Sequence, residues 1–150
     1  DLEILKTEGM MVPVSGLTAK DLVDTFDQMR DGTRHHNALD IMAPRNTPVL
    51  AAVDGKVLKL HNSVAGGLTI YLSDLSGHFE MMYGHLDSYR PGITEGQSIT
   101  KGQIIGFTGS TGNASPDAPH LHFQVMRNDN QKDWWKGTPV NPFPVFRPNG

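Results

Sequence analysis

The chain contains no cysteine, and its lysines and arginines form no concentrated run. Without cysteine it has neither disulfides nor thiolate ligands, so any metal site must use histidine, aspartate or glutamate. The net charge of -3 comes from scattered charges of both signs, which argues against nucleic acid or a membrane surface as partner. No apolar run reaches the roughly 18 residues that would predict a membrane span.

The 16 glycines and 10 prolines punctuate short runs of valine, isoleucine, leucine and tyrosine. This pattern predicts a mainly β protein whose antiparallel strands are joined by tight turns.

A chain of this length fits one domain over residues 1–150. Residues 1–15 are interpreted as an edge strand or the remnant of an upstream segment, and residues 134–150 as an extended tail. Strands are expected at 48–53, 56–60, 68–73, 79–85, 103–108 and 120–126.

One short helix is predicted near the N-terminus. Thr18 and Asp21 have the spacing of a helix cap, and the chain reaches Gly32 before a strong breaker appears. Apolar residues recur between them at helical spacing, namely Leu22, Val23, Phe26 and Met29.

Histidine is abundant, with seven residues in the chain. Five of them fall in three short places: His35 and His36, His85, and the pair His120 and His122. Because histidine is the commonest protein ligand of transition metals and titrates near neutrality, this clustering indicates metal or acid–base chemistry.

His36 and Asp40 are four residues apart, and an imidazole and a carboxylate that converge there suit zinc. His120 and His122 lie two apart in a predicted strand, so both project from one face while Leu121 faces the core. A catalytic zinc needs three protein ligands and an open position. His36, Asp40 and one member of the pair would supply them, and spacing alone leaves open which member. The alternative is that the pair only decorates the polar face of an amphipathic strand.

His85 follows Tyr83 at the end of a predicted strand, and strict alternation places the two on one face. The histidines not used as ligands suit the remaining tasks of hydrolysis: taking a proton from water, donating one to the leaving amine, and holding the oxyanion.

Several ordered motifs together resemble the lysostaphin-type, LytM-like M23 zinc peptidases, which cut peptide bonds in bacterial peptidoglycan. The resemblance spans about residues 12–142, and its motif-bearing segments are 34–44, 47–57, 66–71, 83–86, 95–96, 101–106, 109–113 and 119–123.

The resemblance implies one Zn²⁺ per chain, held by His36, Asp40 and His122. It implies His120 as the general base and His85 as the residue that stabilises the transition state or assists proton transfer. Candidate substrate-binding residues are Tyr83, Asn113 and His35.

The implied fold is an antiparallel β core of the LytM sandwich type, with a groove walled by loops at 25–37, 60–68, 86–93 and 110–119. The implied partner is the peptidoglycan stem peptide, cut at the D-alanyl to diaminopimelate cross-link by a monomer. The implied location is extracytoplasmic, either periplasmic or secreted.

The sequence departs from the family pattern at three places. Ala38 and Asn46 replace residues that are often glycine, and asparagine tolerates a left-handed turn. Residues 115–118 lengthen the link that precedes His120, which would stiffen one groove wall and add charge to it.

Three other interpretations remain. A LytM-like protein without catalysis could bind the wall and activate another murein hydrolase, although all five site positions are present here. A carbohydrate-binding domain would use exposed aromatic residues such as Trp134, Trp135 and Tyr89, for which packing of the tail onto the core is the favoured interpretation. A latent enzyme would carry an upstream segment that fills the groove.

Overall fold

The computed structural model describes residues 3–27, 29–30, 34–35 and 37–146, with the backbone alone at 29–30 and 34–35. Helix α1 spans Glu3–Glu8 and helix α2 spans Phe143–Phe146, and 3₁₀ turns cover Ala19–Asp21 and Gln131–Lys136. The strands are β1 Met29–Arg30, β2 Arg34–His35, β3 Leu39–Met42, β4 Pro48–Leu50, β5 Gly55–Ser63, β6 Gly67–Asp74, β7 Phe79–Tyr89, β8 Ser98–Ile99, β9 Ile104–Thr108, β10 His120–Arg127 and β11 Thr138–Val140.

Strands β3 to β11 form one nine-stranded sheet with antiparallel pairing. Its main path runs β11-β10-β7-β6-β5-β8, while β3 pairs with β10, and β9 pairs with both β4 and β7. The first part of β7 pairs with β6 and β10, and its end pairs with β9. One edge of β7 therefore pairs with β6, while the other edge pairs with β10 along its first part and with β9, which carries β4, at its end. This confirms the predicted mainly β, antiparallel fold.

One face of the central strands is packed into the core. Alternate residues of β6, β7 and β10 are buried on that face, and each side chain of this kind stabilises the fold by roughly 1.5–3 kcal/mol. They are Ile70, Leu72, Phe79, Met81, Tyr83, Leu121, Phe123 and Val125. The residues between them, which include the two histidines of β10, lie on the opposite face.

At its far end this opposite face is covered by the 3₁₀ turn Gln131–Lys136. Gln131 is anchored twice, because its Oε1 accepts a hydrogen bond from Ser73 Oγ at 2.6 Å and its Nε2 donates to the carbonyl of Phe79 at 3.0 Å. Glu80 lies fully buried in this region and accepts a hydrogen bond from Asn128 Nδ2 at 2.7 Å. Its second oxygen has no hydrogen-bond partner among the described residues.

The predicted helix after Thr18 is wrong beyond its first turn. The Thr18–Asp21 cap does form, but Leu22 already has an extended backbone and Met29 belongs to β1. Asp24 and Thr25 divert the chain, because the Asp24 carboxylate accepts the backbone N–H of Phe26 and the Thr25 hydroxyl binds the backbone of Ala38 and Asp40. Such side chains compete with helical hydrogen bonds.

The two chain ends also differ from expectation. Residues Glu3–Glu8 form a helix and not an edge strand; Leu5 is buried, and Gly9 ends the helix with φ of 78°. Within residues 9–15, Val14 makes an isolated bridge to Val49.

The tail is not simply extended. Thr138–Val140 adds an edge strand to β10, a position where Pro139 is tolerated, and α2 follows it. No helix in the described part of the chain is long and apolar enough to cross a membrane.

Burial raises the pKa of Glu80 to about 7, although the Asn128 hydrogen bond opposes this. In the unfolded chain the carboxyl ionises near 4.5. The neutral form therefore stabilises the fold fully below pH 4.5, and this contribution is lost as pH rises through about 7. We expect Glu80→Gln to gain stability relative to wild type across that window, as measured by urea unfolding at a series of pH values.

Glu95→Gln is the matched control, because a hydrogen bond from the backbone of Leu60 lowers the pKa of Glu95. Its difference from wild type should stay flat between about pH 5 and 8. The pKa of Glu8 is also raised to about 7, by burial and by Asp74. Glu8 is present in wild type and in both variants, so its pH-dependent contribution to stability cancels in each comparison. A flat profile for Glu80→Gln would contradict the prediction.

Candidate metal and catalytic site

The register of β3 against β10 builds the centre of the candidate site. Asp40 pairs directly with His122, and Met42 pairs with His120, so the carboxylate and both imidazoles project from one face. Asp40 Oδ1 lies 3.9 Å from His122 Nδ1 and 3.6 Å from His120 Nε2. The backbone N–H of Asp40 donates to Thr25 Oγ1 at 2.9 Å, which anchors β3 from the preceding segment.

The spacing of these atoms fits part of a zinc site. Two ligands of a tetrahedral zinc lie roughly 3.4 Å apart when each is about 2.0–2.1 Å from the metal. The separations of Asp40 Oδ1 from His120 Nε2 and from His122 Nδ1 are both near that value, so distance alone does not choose between the two imidazoles. Within the described ranges, no group of three or more His, Cys, Asp or Glu residues could hold a metal ion. His36, the third expected ligand, lies outside the described residues.

His120 has a defined tautomer. Its Nδ1 lies 3.0 Å from the carbonyl oxygen of Ala118. Because a carbonyl can only accept, Nδ1 must carry the proton, and Nε2 keeps its lone pair when the ring is neutral. That lone pair is on the nitrogen 3.6 Å from Asp40 Oδ1.

His85 reaches the site through a β-bulge. Between the pairs Leu68↔Leu86 and Ile70↔Tyr83, β6 has one residue and β7 has two. His85 is one of these two β7 residues. Its φ is 59°, a left-handed conformation that is uncommon for a residue with a side chain. Its ring centre lies 5.1 Å from that of His120 and 5.5 Å from that of His122. The bulge thus turns His85 away from the face of Tyr83, which corrects the expectation from alternation.

The backbone of Thr111 orients His85. His85 Nδ1 lies 2.8 Å from the Thr111 carbonyl oxygen and must donate to it, so the proton of a neutral ring is on Nδ1. Thr111 Oγ1 in turn donates to the Leu86 carbonyl at 2.7 Å and accepts the N–H of Leu68 at 3.0 Å. A residue not singled out by its sequence therefore sets the tautomer of His85.

Two glycines allow the loops around Thr111 to meet. Gly67 and Gly112 both have left-handed backbones, with φ of 66° and 75°. A Cβ on Gly67 would overlap Thr111, and one on Gly112 would overlap the backbone of Ala65 and Gly67. The segment before β6 and the segment after β9 therefore interlock backbone to backbone.

The structure places the side chains of two of the three candidate substrate-binding residues, Tyr83 and Asn113, in different surroundings. Tyr83 lies in the core, where its hydroxyl accepts the N–H of Ala52, so it is not brought to the histidine cluster. Asn113 is exposed on the interlocked loop, and its N–H donates to the Ala65 carbonyl. For His35 the structure describes only its backbone, in β2.

Arg45 joins three parts of the rim, a role that the sequence did not reveal. Its guanidinium donates to Ser110 Oγ at 2.7 Å and to the Pro116 carbonyl at 3.2 Å, and it lies 3.4 Å from Asp87 Oδ1. The long link at residues 115–118 is thus attached to the turn after β3. Asn46, next to Arg45, has φ of 68°, which confirms the left-handed turn expected there.

The sequence profile of peptidase family M23 matches residues 34–142. DD-carboxypeptidase/endopeptidase Mpg of Neisseria meningitidis serogroup B is 34% identical over 115 residues, which cover 77% of this chain and 24% of that protein. Glycyl-glycine endopeptidase ALE-1 of Staphylococcus capitis is 34% identical over 117 residues, or 77% of this chain and 30% of that protein. The chain therefore spans between about a quarter and a third of the length of these relatives.

Solved structures agree with the sequence relatives. Lysostaphin from Staphylococcus simulans superposes with a TM-score of 0.75 at 29% identity, covering 95% of this chain and 55% of that chain. A zinc containing peptidase from Vibrio cholerae gives a TM-score of 0.69 at 25% identity, covering 90% of this chain and 39% of that chain. With the profile matching more than two thirds of its residues, the chain belongs to peptidase family M23.

Proposed function

We propose that this domain is a zinc-dependent endopeptidase that hydrolyses peptide bonds in peptidoglycan. The observation that carries the proposal is the convergence of Asp40, His85, His120 and His122 on one point of the sheet face. Family membership supports it, since relatives are named as endopeptidases and one structural neighbour as a zinc containing peptidase.

His36, Asp40 and His122 would hold the metal. When bound, zinc supplies Lewis-acid chemistry that polarises the scissile carbonyl and acidifies water. A carboxylate and imidazoles suit zinc in a chain that has no thiolates. The family resemblance assigns His122 as the ligand from β10, and His122 is the direct cross-strand neighbour of Asp40.

His120 is the proposed general base. The Ala118 carbonyl holds the proton on Nδ1, so Nε2 can accept the proton of the attacking water. His85 is the proposed second proton-handling group. With Nδ1 bound to the Thr111 carbonyl, its Nε2 in the protonated ring can donate to the developing oxyanion or to the leaving amine.

For the bond cleaved, we propose the D-alanyl to diaminopimelate cross-link. Support comes from the residues of the motifs at 40–45 and 83–89 and from the Neisseria relative, which is named as a DD-carboxypeptidase/endopeptidase. Relatives of similar identity are named for glycyl-glycine and L-Ala–D-Glu bonds, so bond choice depends on the groove walls. The link at 115–118, attached by Arg45, is the wall segment that departs from the family pattern.

Non-catalytic wall binding is the second candidate. One relative, 30% identical over 122 residues, is named as the cell division protein DipM of Caulobacter vibrioides and not as a hydrolase. In that case the domain would bind peptidoglycan and activate another hydrolase without cleaving it.

We expect the purified chain to contain about one zinc by elemental analysis, and Asp40→Ala or His122→Ala to lose it. His120→Ala should keep the zinc but lose at least about 100-fold in hydrolysis, because only proton transfer is removed. His78→Ala is the control, since His78 pairs with Asp129 and belongs to none of these contacts. A folded wild type that binds no zinc, or an active His120→Ala, would contradict the assignment.

Incubation with purified cross-linked muropeptides, read by mass spectrometry, tests the bond. We expect products cut between D-alanine and diaminopimelate and none from glycine-bridged substrates. Cleavage of glycine bridges alone would reject the proposed bond and retain the peptidase. If the zinc-loaded domain binds both substrates and cuts neither, non-catalytic wall binding is favoured.

Gly67→Ala should lower kcat by roughly tenfold or more, because the new methyl group displaces Thr111 and with it the carbonyl that orients His85. Zinc content should not change, since the ligands lie elsewhere. Gly77→Ala is the matched control: its φ is 75°, but no atom lies within 4 Å of the added Cβ. Both variants carry the left-handed strain of about 1–2 kcal/mol. Equal kcat in the two would show that Thr111 does not orient a catalytic group.

A further inference from the structure

The sheet face that carries the catalytic histidines continues well beyond them. From His122 the face runs along β10 to Gln124, which pairs with Met82 of β7, and Met82 pairs in turn with Tyr71 of β6. A Cβ on Gly84 would lie 3.3 Å from Met82 Cε and 3.5 Å from His122 Cβ. The Met82 side chain therefore lies on the same face as His122. Together with Gln124 it forms the surface between the site and Tyr71, which we call the floor.

An aromatic shelf stands at the far end of this floor, made of Trp134, Trp135, Tyr71 and His61. The Trp134 ring centre is 4.8 Å from that of Tyr71 and 5.0 Å from that of His61. Trp135 meets Trp134 edge to face at 5.4 Å and is 58% exposed. Lys59 Nζ lies 6.0 Å from the Trp134 ring centre and adds a donor at the rim.

Hydrogen bonds within the protein hold the aromatic shelf in place. The 3₁₀ turn that carries both tryptophans is anchored by the two hydrogen bonds of Gln131 and by Asn128 Nδ2, which donates to the Asp133 carbonyl at 3.1 Å. Neither tryptophan belongs to the hydrophobic core of the described residues. Packing of the tail onto the core, expected from the sequence, therefore does not explain Trp135.

We propose that the aromatic shelf is a binding subsite for a sugar ring of the peptidoglycan glycan chain. This rests on the proposed function, because the shelf shares its floor with the catalytic residues. Stem-peptide residues are small, such as alanine, or charged, such as glutamate and diaminopimelate, and none has a flat apolar face. A pyranose ring has one, and its hydroxyl and acetamido groups can bond to Lys59 and His61 at the rim.

The distance between the shelf and the histidines suits this occupant. Two residues along β10 and two strands across separate His122 from Tyr71, which is roughly 12 Å at ordinary sheet spacings. A stem of about four residues between the sugar and the D-alanyl carbonyl spans at most about 14 Å when extended. A sugar at the Tyr71 edge of the shelf can therefore present the D-alanyl bond to the histidines.

Intrinsic fluorescence tests the subsite directly, because Trp134 and Trp135 are the two tryptophans of the chain. The probe is glycan chains from which an amidase has removed all stem peptides. We expect a saturable change in tryptophan emission with these chains, and weaker binding of maltotetraose, which has pyranose rings but no acetamido groups. Trp135→Ala should weaken binding by roughly tenfold as reported by Trp134. Leu75→Ala, which removes another exposed apolar side chain, is the control and should bind as wild type does.

Hydrolysis gives the second measurement. We expect wild type to have a KM about tenfold lower for cross-linked muropeptides with their sugars than for the same peptides without them. Trp135→Ala should reduce that ratio to near one, whereas Leu75→Ala should keep it. Equal KM values in wild type, with no fluorescence response to glycan, would overturn the subsite and leave the peptidase intact. A fluorescence response without any peptide cleavage would support the subsite and reject the peptidase.

Discussion

The register of β10 between β3 and β7 sets the positions on which the candidate site depends. It places His122 opposite Asp40 on one side and opposite Gly84 on the other. A slip of one residue would turn both histidines into the core and expose Leu121 and Phe123, which are fully buried. The hydrophobic core therefore does more than stabilise the sheet, because it enforces the register that brings carboxylate and imidazoles together.

Two interruptions of regular structure complete what the register begins. The bulge in β7 turns His85 out of the alternation and towards His120. The chain that leaves its helical path after Thr18 brings the Thr25 hydroxyl to the backbone of Asp40. Both irregular segments thus hold groups that an ideal strand or helix would have directed elsewhere, as is common where local strain accompanies a functional site.

The sequence was informative where a residue's environment is set by its own strand. Alternation in 120–126 correctly put His120 and His122 on one face, and the six expected strands are all present. The alternation pattern was wrong where pairing with a strand distant in sequence determines which face a side chain lies on. Tyr83 and His85 were expected to share a face, but the extra residue opposite β6 separates them. Likewise, β5 extends through Ser63, which shortens the loop expected at 60–68 to 64–66. β7 extends through Tyr89, which moves the loop expected at 86–93 to 90–97.

The helix expected after Thr18 failed for a related reason. Its apolar spacing was helical, yet Asp24 and Thr25 find better hydrogen-bond partners in the turn at Phe26 and on β3. The orienting carbonyls of Thr111 and Ala118 could not be inferred at all, since any residue can supply a carbonyl and only tertiary structure shows which one faces an imidazole. What the pattern predicts is the chemistry of side chains, and what it omits is the backbone that orients them.

The interlock of Gly67 with Thr111 and Gly112 has a consequence for how such domains diverge. The segments before β6 and after β9 are in backbone contact, so neither can change length or bulk without a matching change in the other. Exchange of one loop alone with a relative of different bond preference would disturb the partner loop and, through it, His85. Grafting experiments should therefore treat the two loops as one inherited unit, and specificity in this chain is expected to evolve in paired steps.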